Sequence, residues 1–361
     1  EELASLEELR EGEGLVSLAS EYPNLAEMLA LKLRFKHFNI YPLWGAAEIY
    51  PPENADLILL ATGDGRVFEN SFLKPVKKVL DSGACLIANR ESLESKDLSR
   101  ILDSLYGSLD KIPPERLVEI ATAVDSGLKP PQFMPMDCVR LALPDGHAQK
   151  HVVNILDKAK IGISDYPSAN GDRRPRIEIP GVKVKVIRPQ DMPLQVANGK
   201  FDVAITGQDW VREHLAQFPA SPLVELVDLR YSRVRIVAAV HNEVAADNMS
   251  GLRRLAVEKG WNLRIASEYI RIADKFAREN QLGMYKIVPT WGATEAFLPD
   301  DADILIENTE TGGTLKRHNL KIIETLFEST ACLVANRTSL ISPKGIVIRD
   351  LAAILQNAVS L

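Results

Sequence analysis

Cysteine is scarce in this chain, with three among 361 residues. Three thiols cannot build a disulfide framework, and Cys85, Cys138 and Cys332 lack the spacings that hold zinc. Long apolar runs are missing too. No stretch approaches the ~20 residues needed to cross a bilayer, and no basic-then-apolar leader opens the chain. Basic blocks are absent and the net charge is −6, which argues against a general nucleic-acid binder. No Walker loop, G-x-S-x-G elbow or H-E-x-x-H helix occurs, and the histidines show no metal spacing. What remains is 46% apolar and 25% charged residues. That is the mix of a soluble globular protein of roughly two domains, expected to be reduced and cytoplasmic.

An internal repeat organises the chain. Ala19–Leu93 realigns without a gap on Ala266–Leu340, at the offset of 247 that separates Trp44 from Trp291 and Asn89 from Asn336. Ala-Ser-Glu-Tyr recurs at Ala19 and Ala266, Pro-x-Trp-Gly-Ala-x-Glu at Pro42 and Pro289, and Ala-Cys-Leu at Ala84 and Ala331. Roughly a third of the paired positions are identical, and the period is too long for a solenoid, so the reading is duplication of a whole protein. The second copy's first half, Val139–Met249, has no counterpart upstream. The chain opens on Glu1 rather than methionine, and about 108 further residues, or a donating partner chain, are expected before it.

Strand and helix patterns alternate through the second copy. Strands are expected at 139–143, 183–187, 202–205, 233–239, 262–265, 285–288, 302–306 and 331–334. Helices are expected after Gly146, at 193–198 and at 208–217, while 320–327 reads as helix or strand. Helical spacing also marks 98–109 and 114–124, followed by a Pro-rich connector, 129–135.

The strongest local signal is Ala302–Leu315, a buried strand that ends in an acid, then a Thr/Gly loop, then a helix start. Successive N–H groups in such a loop form an anion nest. Gly312 and Gly313 permit close approach, while Thr311 and Thr314 add hydroxyl donors. Glu307 and Glu310 would repel a phosphate but suit ribose hydroxyls or magnesium. An ordinary strand-to-helix turn is the plain alternative. The first copy's equivalent, Ala61–Phe68, replaces Glu307 by Leu60, Thr311 by Asp64 and Thr314 by Val67, so it is degenerate. Leu143-Pro-Asp-Gly-His147 and Ile205-Thr-Gly-Gln-Asp209 are further strand-end loops, where open α/β sheets bind ligands or where helices are merely capped. Packing roles are expected for Cys85, Cys332, Trp44 and Trp291.

In this order, Leu143-Pro-x-Gly146, Arg188-Pro-Gln-Asp-Met-Pro193, Val196-x-x-Gly-x-x-Asp202, Ile205-Thr-Gly-x-Asp209, Glu225-Leu-Val-Asp-Leu229 and Thr311-Gly-Gly-Thr-Leu315 resemble the short-form catalytic subunit of ATP phosphoribosyltransferase, the first enzyme of histidine biosynthesis. The resemblance implies a two-lobed α/β fold of the type II periplasmic-binding-protein kind, here duplicated. Its implied partition is a half-copy at 1–93, a helical linker at 94–137, domain I at 138–240 plus 314–345, domain II at 241–313 and a C-terminal helix at 346–361. It implies phosphoribosyl diphosphate (PRPP) on Glu295, Glu307, Glu310, Thr311, Gly312, Gly313, Thr314 and Leu315. ATP would lie on Pro144, Gly146, His147, Thr206, Gly207 and Asp209. Glu307 and Arg188 would serve catalysis, with Mg2+ carried on substrate phosphates and touching Glu307. The implied partners are a homo-oligomer or pseudo-dimer and a regulatory subunit resembling a histidyl-tRNA synthetase. Two departures stand out, since Asp145 and His147 replace the usual Lys and Arg. A non-catalytic nucleotide- or PRPP-binding subunit of the same fold is the alternative reading.

Overall fold

The computed structural model describes Leu6, Leu9 and residues 12–62, 73–82, 87, 90–109, 138–168 and 173–360. The chain divides into two units, one of Glu1–Leu43 with Tyr50–Phe133, the other of Trp44–Ile49 with Met134–Leu361. The first holds β1 (Val16–Ser20), α1 (Pro23–Leu33), β2 (Phe38–Pro42), β3 (Leu57–Leu59), α2 (Arg90–Ser95) and α3 (Ser99–Leu109). Its three strands form a parallel sheet in the order β2-β1-β3. The expected 114–124 helix, the 129–135 connector, most of the degenerate Ala61–Phe68 loop and the Gly83–Ala88 strand apart from Ile87 lie outside the described residues.

The second unit carries two five-stranded sheets. Its strands are β4 (Val139–Pro144), β5 (Ile163–Ser164), β6 (Arg176–Ile177), β7 (Val182–Ile187), β8 (Val203–Gly207), β9 (Leu223–Asp228), β10 (Val234–His241), β11 (Leu263–Ser267), β12 (Tyr285–Pro289), β13 (Ile304–Thr309), β14 (Leu320–Ser329) and β15 (Ala331–Asn336). Its helices are α4 (Gln149–Lys158), α5 (Met192–Ala197), α6 (Gln208–Gln217), α7 (Met249–Lys259), α8 (Ile270–Glu279), α9 (Gly313–Arg317), α10 (Arg337–Ile341) and α11 (Gly345–Ser360). One sheet runs β7-β4-β8-β15-β9 and the other β12-β11-β13-β10-β14. In each, three parallel strands are followed by one antiparallel strand, β15 in the first sheet and β10 in the second. This is the two-lobed type II arrangement. Among the described residues no helix is long and apolar enough to cross a membrane.

The lobes do not divide where the sequence reading put them. β10 pairs antiparallel with β13 and with β14, so both belong to the second lobe. The chain therefore leaves the first lobe after β9 and returns between β14 and β15, not at residues 240 and 313. The ambiguous stretch 320–327 is strand, because β10 offers it a ladder of backbone partners from Val234 to His241, with two register shifts along it. α11 is not a separate tail either. Ile348, Leu351, Leu355 and Ala358, spaced to fall on one helical face, are buried with Leu141, Leu143, Ile205 and Leu333 in the first lobe's core. Burial of each large side chain contributes on the order of 1.5–3 kcal/mol.

The second lobe's core gathers Ile236, Ala238 and Val240 of β10 with Ile265, Ile304 and Ile306, covered by Ile272, Ala273 and Phe276 of α8. α7 is capped at both ends: Asn248 accepts from the Gly251 N–H at 2.9 Å, and Gly260 takes the left-handed φ of 63° that ends the helix. Within the first unit the sheet repeats the second lobe's geometry at the same offset of 247. Val16 pairs with Phe38 as Leu263 pairs with Tyr285, and Leu18 with Leu57 as Ile265 with Ile304. Ser20 donates to the Leu59 carbonyl at 2.8 Å as Ser267 donates to the Ile306 carbonyl at 2.7 Å.

Candidate active site

β13 ends at Thr309 and the chain turns through Glu310, Thr311 and Gly312 into α9. Gly312 sits at φ 76°, a left-handed backbone that turns consecutive N–H groups toward one side. Side-chain hydroxyls hold the turn. Thr309 accepts from the Gly312 N–H at 3.0 Å, and Thr311 from the Gly313 N–H at 3.4 Å. Thr314 accepts from Arg317 Nη2 at 3.1 Å. A hydroxyl that accepts keeps its own proton to donate, so Thr311 and Thr314 remain able to serve a bound anion. Arg317 sets a cation beside the loop.

The loop forms one wall of a cavity of about 410 Å3. Glu295, Glu307, Glu310, Thr311, Gly312, Gly313, Thr314 and Leu315 all line it, so every residue expected to meet PRPP comes together there. Glu268, which only the repeat marks in the sequence, lines it too. Burial pushes the Glu307 carboxyl up to about 7. The Asn308 N–H opposes this, and the charges of Glu268 and Glu295 reinforce it. Glu268 is raised as well, first by burial, against hydrogen bonds from the Gly292 N–H and the Gln190 side chain. One wall thus offers N–H and hydroxyl donors and the other offers carboxylates. Such a cavity can hold a phosphate at one end and a polyhydroxyl group at the other.

The strand ends of the first lobe carry a different arrangement. Asp145 follows β4, and its Oδ2 lies 3.0 Å from Arg173 Nη1 and 3.3 Å from Arg188 Nη1. The residue that replaces the family's usual cation is therefore the counter-ion of two arginines. Trp44–Ile49 packs as part of this unit. The Trp44 N–H donates to Asp191 at 3.1 Å, Glu48 lies 3.5 Å from Arg173, and buried Lys185 donates to the Ile49 carbonyl at 3.0 Å. A side chain at Gly45 would meet Arg188 Nε at 3.0 Å, so close approach here depends on glycine. Gly146 has φ 69°, and the Pro144 carbonyl accepts from the Tyr166 hydroxyl at 2.7 Å. His147 lies in the short helical turn that follows.

Two residues expected to meet ATP turn inward instead. Buried Thr206 donates to the Pro189 carbonyl at 3.1 Å. Asp209 receives the Tyr269 hydroxyl at 2.6 Å and the Ser329 hydroxyl at 2.8 Å. A side chain at Gly207 would strike the Asp209 carboxylate, so the Thr-Gly-x-Asp spacing serves a carboxylate folded back over its own loop. Packing expectations divide in the same way. Cys332 is fully buried, but Trp291 is 72% exposed, with its ring 6.3 Å from that of Trp44. Cys85 lies outside the described residues. Sequence reading missed Glu268, Thr309, Arg317 and Tyr269. For Thr309 the signal was available: a threonine three residues before a loop glycine can accept its N–H.

Comparison with known proteins adds to this geometry. The sequence pattern of the ATP phosphoribosyltransferase family matches residues 1–110 and 188–357. The ATP phosphoribosyltransferase of Pelotomaculum thermopropionicum is 33% identical over 231 residues, which span 61% of this chain and 72% of the relative. That of Prosthecochloris aestuarii is 34% identical over 232 residues, 61% and 71% of the two chains. Among solved structures, the ATP phosphoribosyl transferase (HisG:HisZ) complex from Thermotoga maritima is similar at 22% identity and TM-score 0.49, over 62% of this chain and 98% of that one. The periplasmic aliphatic sulphonate binding protein SsuA from Escherichia coli is similar at 16% identity and TM-score 0.38, over 62% and 73%. With the matched pattern spanning well over half of its length, this chain is a member of the ATP phosphoribosyltransferase family.

Proposed function

We infer that the chain is an ATP phosphoribosyltransferase, which joins ATP to PRPP in the first step of histidine biosynthesis. The observation that supports this most is the single cavity in which the Thr311–Leu315 loop faces Glu268, Glu295 and Glu307. PRPP would place its 5′-phosphate on the N–H groups of Gly312 and Gly313 and the hydroxyls of Thr311 and Thr314. Glu307 and Glu295 would accept from the ribose hydroxyls, fixing the ring. ATP would lie toward Pro144–His147 and Arg188, with N1 aimed at the anomeric carbon. N1 forms the new C–N bond as the C–O bond to pyrophosphate breaks and its electron pair leaves with the pyrophosphate. The protein's part is alignment and charge compensation rather than a covalent nucleophile.

The donor set suits magnesium only in one way. Among the described residues no group of three or more histidine, cysteine or acidic side chains could hold a metal by itself. The cavity carboxylates are hard oxygen donors of the kind that meet Mg2+ one or two at a time beside substrate phosphates. Glu307 and Glu310 would contribute there, and a bound Mg2+ would neutralise the departing pyrophosphate. The duplication and a regulatory subunit resembling a histidyl-tRNA synthetase belong to the same proposal. The first rests on the repeated strand register, the second on family membership. The test is formation of phosphoribosyl-ATP from ATP, PRPP and Mg2+, with and without histidine. PRPP binding without product would favour the non-catalytic reading, to which the Asp145 pairing with Arg188 lends support.

A further inference from the structure

Tyr269 is wholly buried, and its hydroxyl joins the two lobes. It donates to Asp209 Oδ2 at 2.6 Å and accepts from Asn308 Nδ2 at 3.0 Å. Asn308 in turn holds its neighbour: its N–H and its Nδ2 each lie 2.9 Å from Glu307 Oε1. At the other end Ser329 donates to Asp209 Oδ1 at 2.8 Å and accepts from the Asp209 N–H at 3.0 Å. Trp210 stacks on the phenol with ring centroids 4.5 Å apart. The hydrogen bonds form an unbroken chain from the cavity to the crossing between lobes. Asp209 opens α6 of the first lobe, Ser329 closes β14 at the return crossing, and Tyr269 and Asn308 belong to the second lobe.

The first unit offers an internal comparison. Its equivalents of Glu307 and Asn308 are Leu60 and Ala61, while the equivalents of Tyr269 and Ser329 are still Tyr22 and Ser82. Tyr22 is 46% exposed. The asparagine is missing where the carboxylate is missing, as expected of a residue whose task is to hold that carboxylate. β1 and β3 keep the register of β11 and β13 as far as Leu59, the equivalent of Ile306.

We propose that Tyr269 is a positioning residue, which anchors Asn308 and through it fixes the orientation of the Glu307 carboxylate, with Asp209 and Ser329 as its footing in the first lobe and the crossing. An exposed asparagine on a strand end has several rotamers. A buried phenol bonded on both sides selects one of them. The inference rests on the reading that Glu307 meets the ribose of PRPP.

The test uses the full chain and a cycle of Tyr269→Phe, Asn308→Ala and the double variant, with Glu307→Gln alongside. Steady-state kinetics give kcat and KM for each substrate. Tyr269→Phe is expected to lower kcat by at least about tenfold, with KM for ATP changed less than about twofold. Asn308→Ala is expected to act alike, and adding Tyr269→Phe to it should cost less than about twofold more, because both break one chain. Tyr285→Phe, which removes a hydroxyl bonded to Asp274 at 2.8 Å, should leave kcat unchanged. If Tyr269→Phe does not fold, Asn308→Ala within the Glu307→Gln background decides, with less than about twofold further loss expected. Losses that multiply independently, or an unchanged kcat, would overturn the positioning role. A wild-type chain without activity, or a fully active Glu307→Gln variant, would overturn the underlying reading as well. An active wild type with an impaired Glu307→Gln variant and multiplicative losses would sink the positioning role alone.

Discussion

Arg188 Nη1 lies 3.3 Å from Asp145 Oδ2, and Arg173 Nη1 lies 3.0 Å from the same oxygen. One carboxylate therefore offsets two cations at the end of the first lobe where ATP is proposed to lie. Asp145→Asn keeps the shape and removes the charge. It should lower KM for ATP by about threefold to tenfold, the scale of one charge acting on a polyanion through partly wet surroundings. Arg188→Ala should lower kcat/KM by at least about tenfold, ~1.4 kcal/mol. A wild-type-like Arg188→Ala variant would place the site's cations elsewhere, with Arg317 the first residue to examine.

The loop threonines differ in what they hold. Replacing Thr311 and Thr314 by Val keeps their shape but removes two donors, and should weaken PRPP binding by about 1–3 kcal/mol. Thr309 accepts the Gly312 N–H from a nearly buried position. Thr309→Val should weaken PRPP binding by loosening the turn, and should also lower the melting temperature. Calorimetric titration with PRPP, read beside thermal melts, separates the two effects.

Glu307 gives a pH signature in stability. Burial, first among its causes, raises its carboxyl to about 7, against ~4.3 for an unfolded glutamate. Between those values the folded state binds a proton that the unfolded state has released. The group's contribution to stability therefore falls as pH rises through that window and stays low above it. Glu307→Gln removes the cost. The variant should melt higher than wild type at pH 8.5, and the difference should shrink toward pH 4. A difference that does not change with pH would contradict the buried carboxylate.

Asp202 has the opposite sign. It is 2% exposed, and burial alone would raise it. The Arg140 N–H, the Ser339 hydroxyl and the Arg140 guanidinium outweigh burial and hold it below the usual carboxylate range. Lys344 Nζ lies 3.1 Å away. Its stabilisation is complete above the unfolded value of ~3.9 and is lost as pH falls through the folded one. Asp202→Ala leaves the half-buried Arg140 and Lys344 without their carboxylate and should cost about 1–3 kcal/mol, read from urea melts near neutral pH. A loss no larger than that of an ordinary surface substitution would mean that the cluster is solvated.

The sequence by itself determined the features that depend on neighbouring residues. The Thr-Gly-Gly-Thr loop is contiguous, so its nest and its hydroxyls follow from spacing and from what glycine permits. The repeat offset placed β1, β2 and β3 against β11, β12 and β13, because residue identities shared at a constant spacing of 247 can be read without knowing the fold. The helices expected at 193–198 and 208–217 form at 192–197 and 208–217, because their starts and apolar faces are local signals.

Only the tertiary structure decided which distant groups meet. Asp209 carries the spacing of a ligand loop, yet Tyr269 and Ser329 reach it from 60 and 120 positions away. Asp145 reads as a lost cation until Arg173 and Arg188 close on it. Glu268 joins Glu307 because β11 lies beside β13, an adjacency set by strand order and not by local period. β10 and β14 crossed to the second lobe for the same reason: a strand's alternation says that it will pair, while its partner is fixed by where the connections let the ladder form.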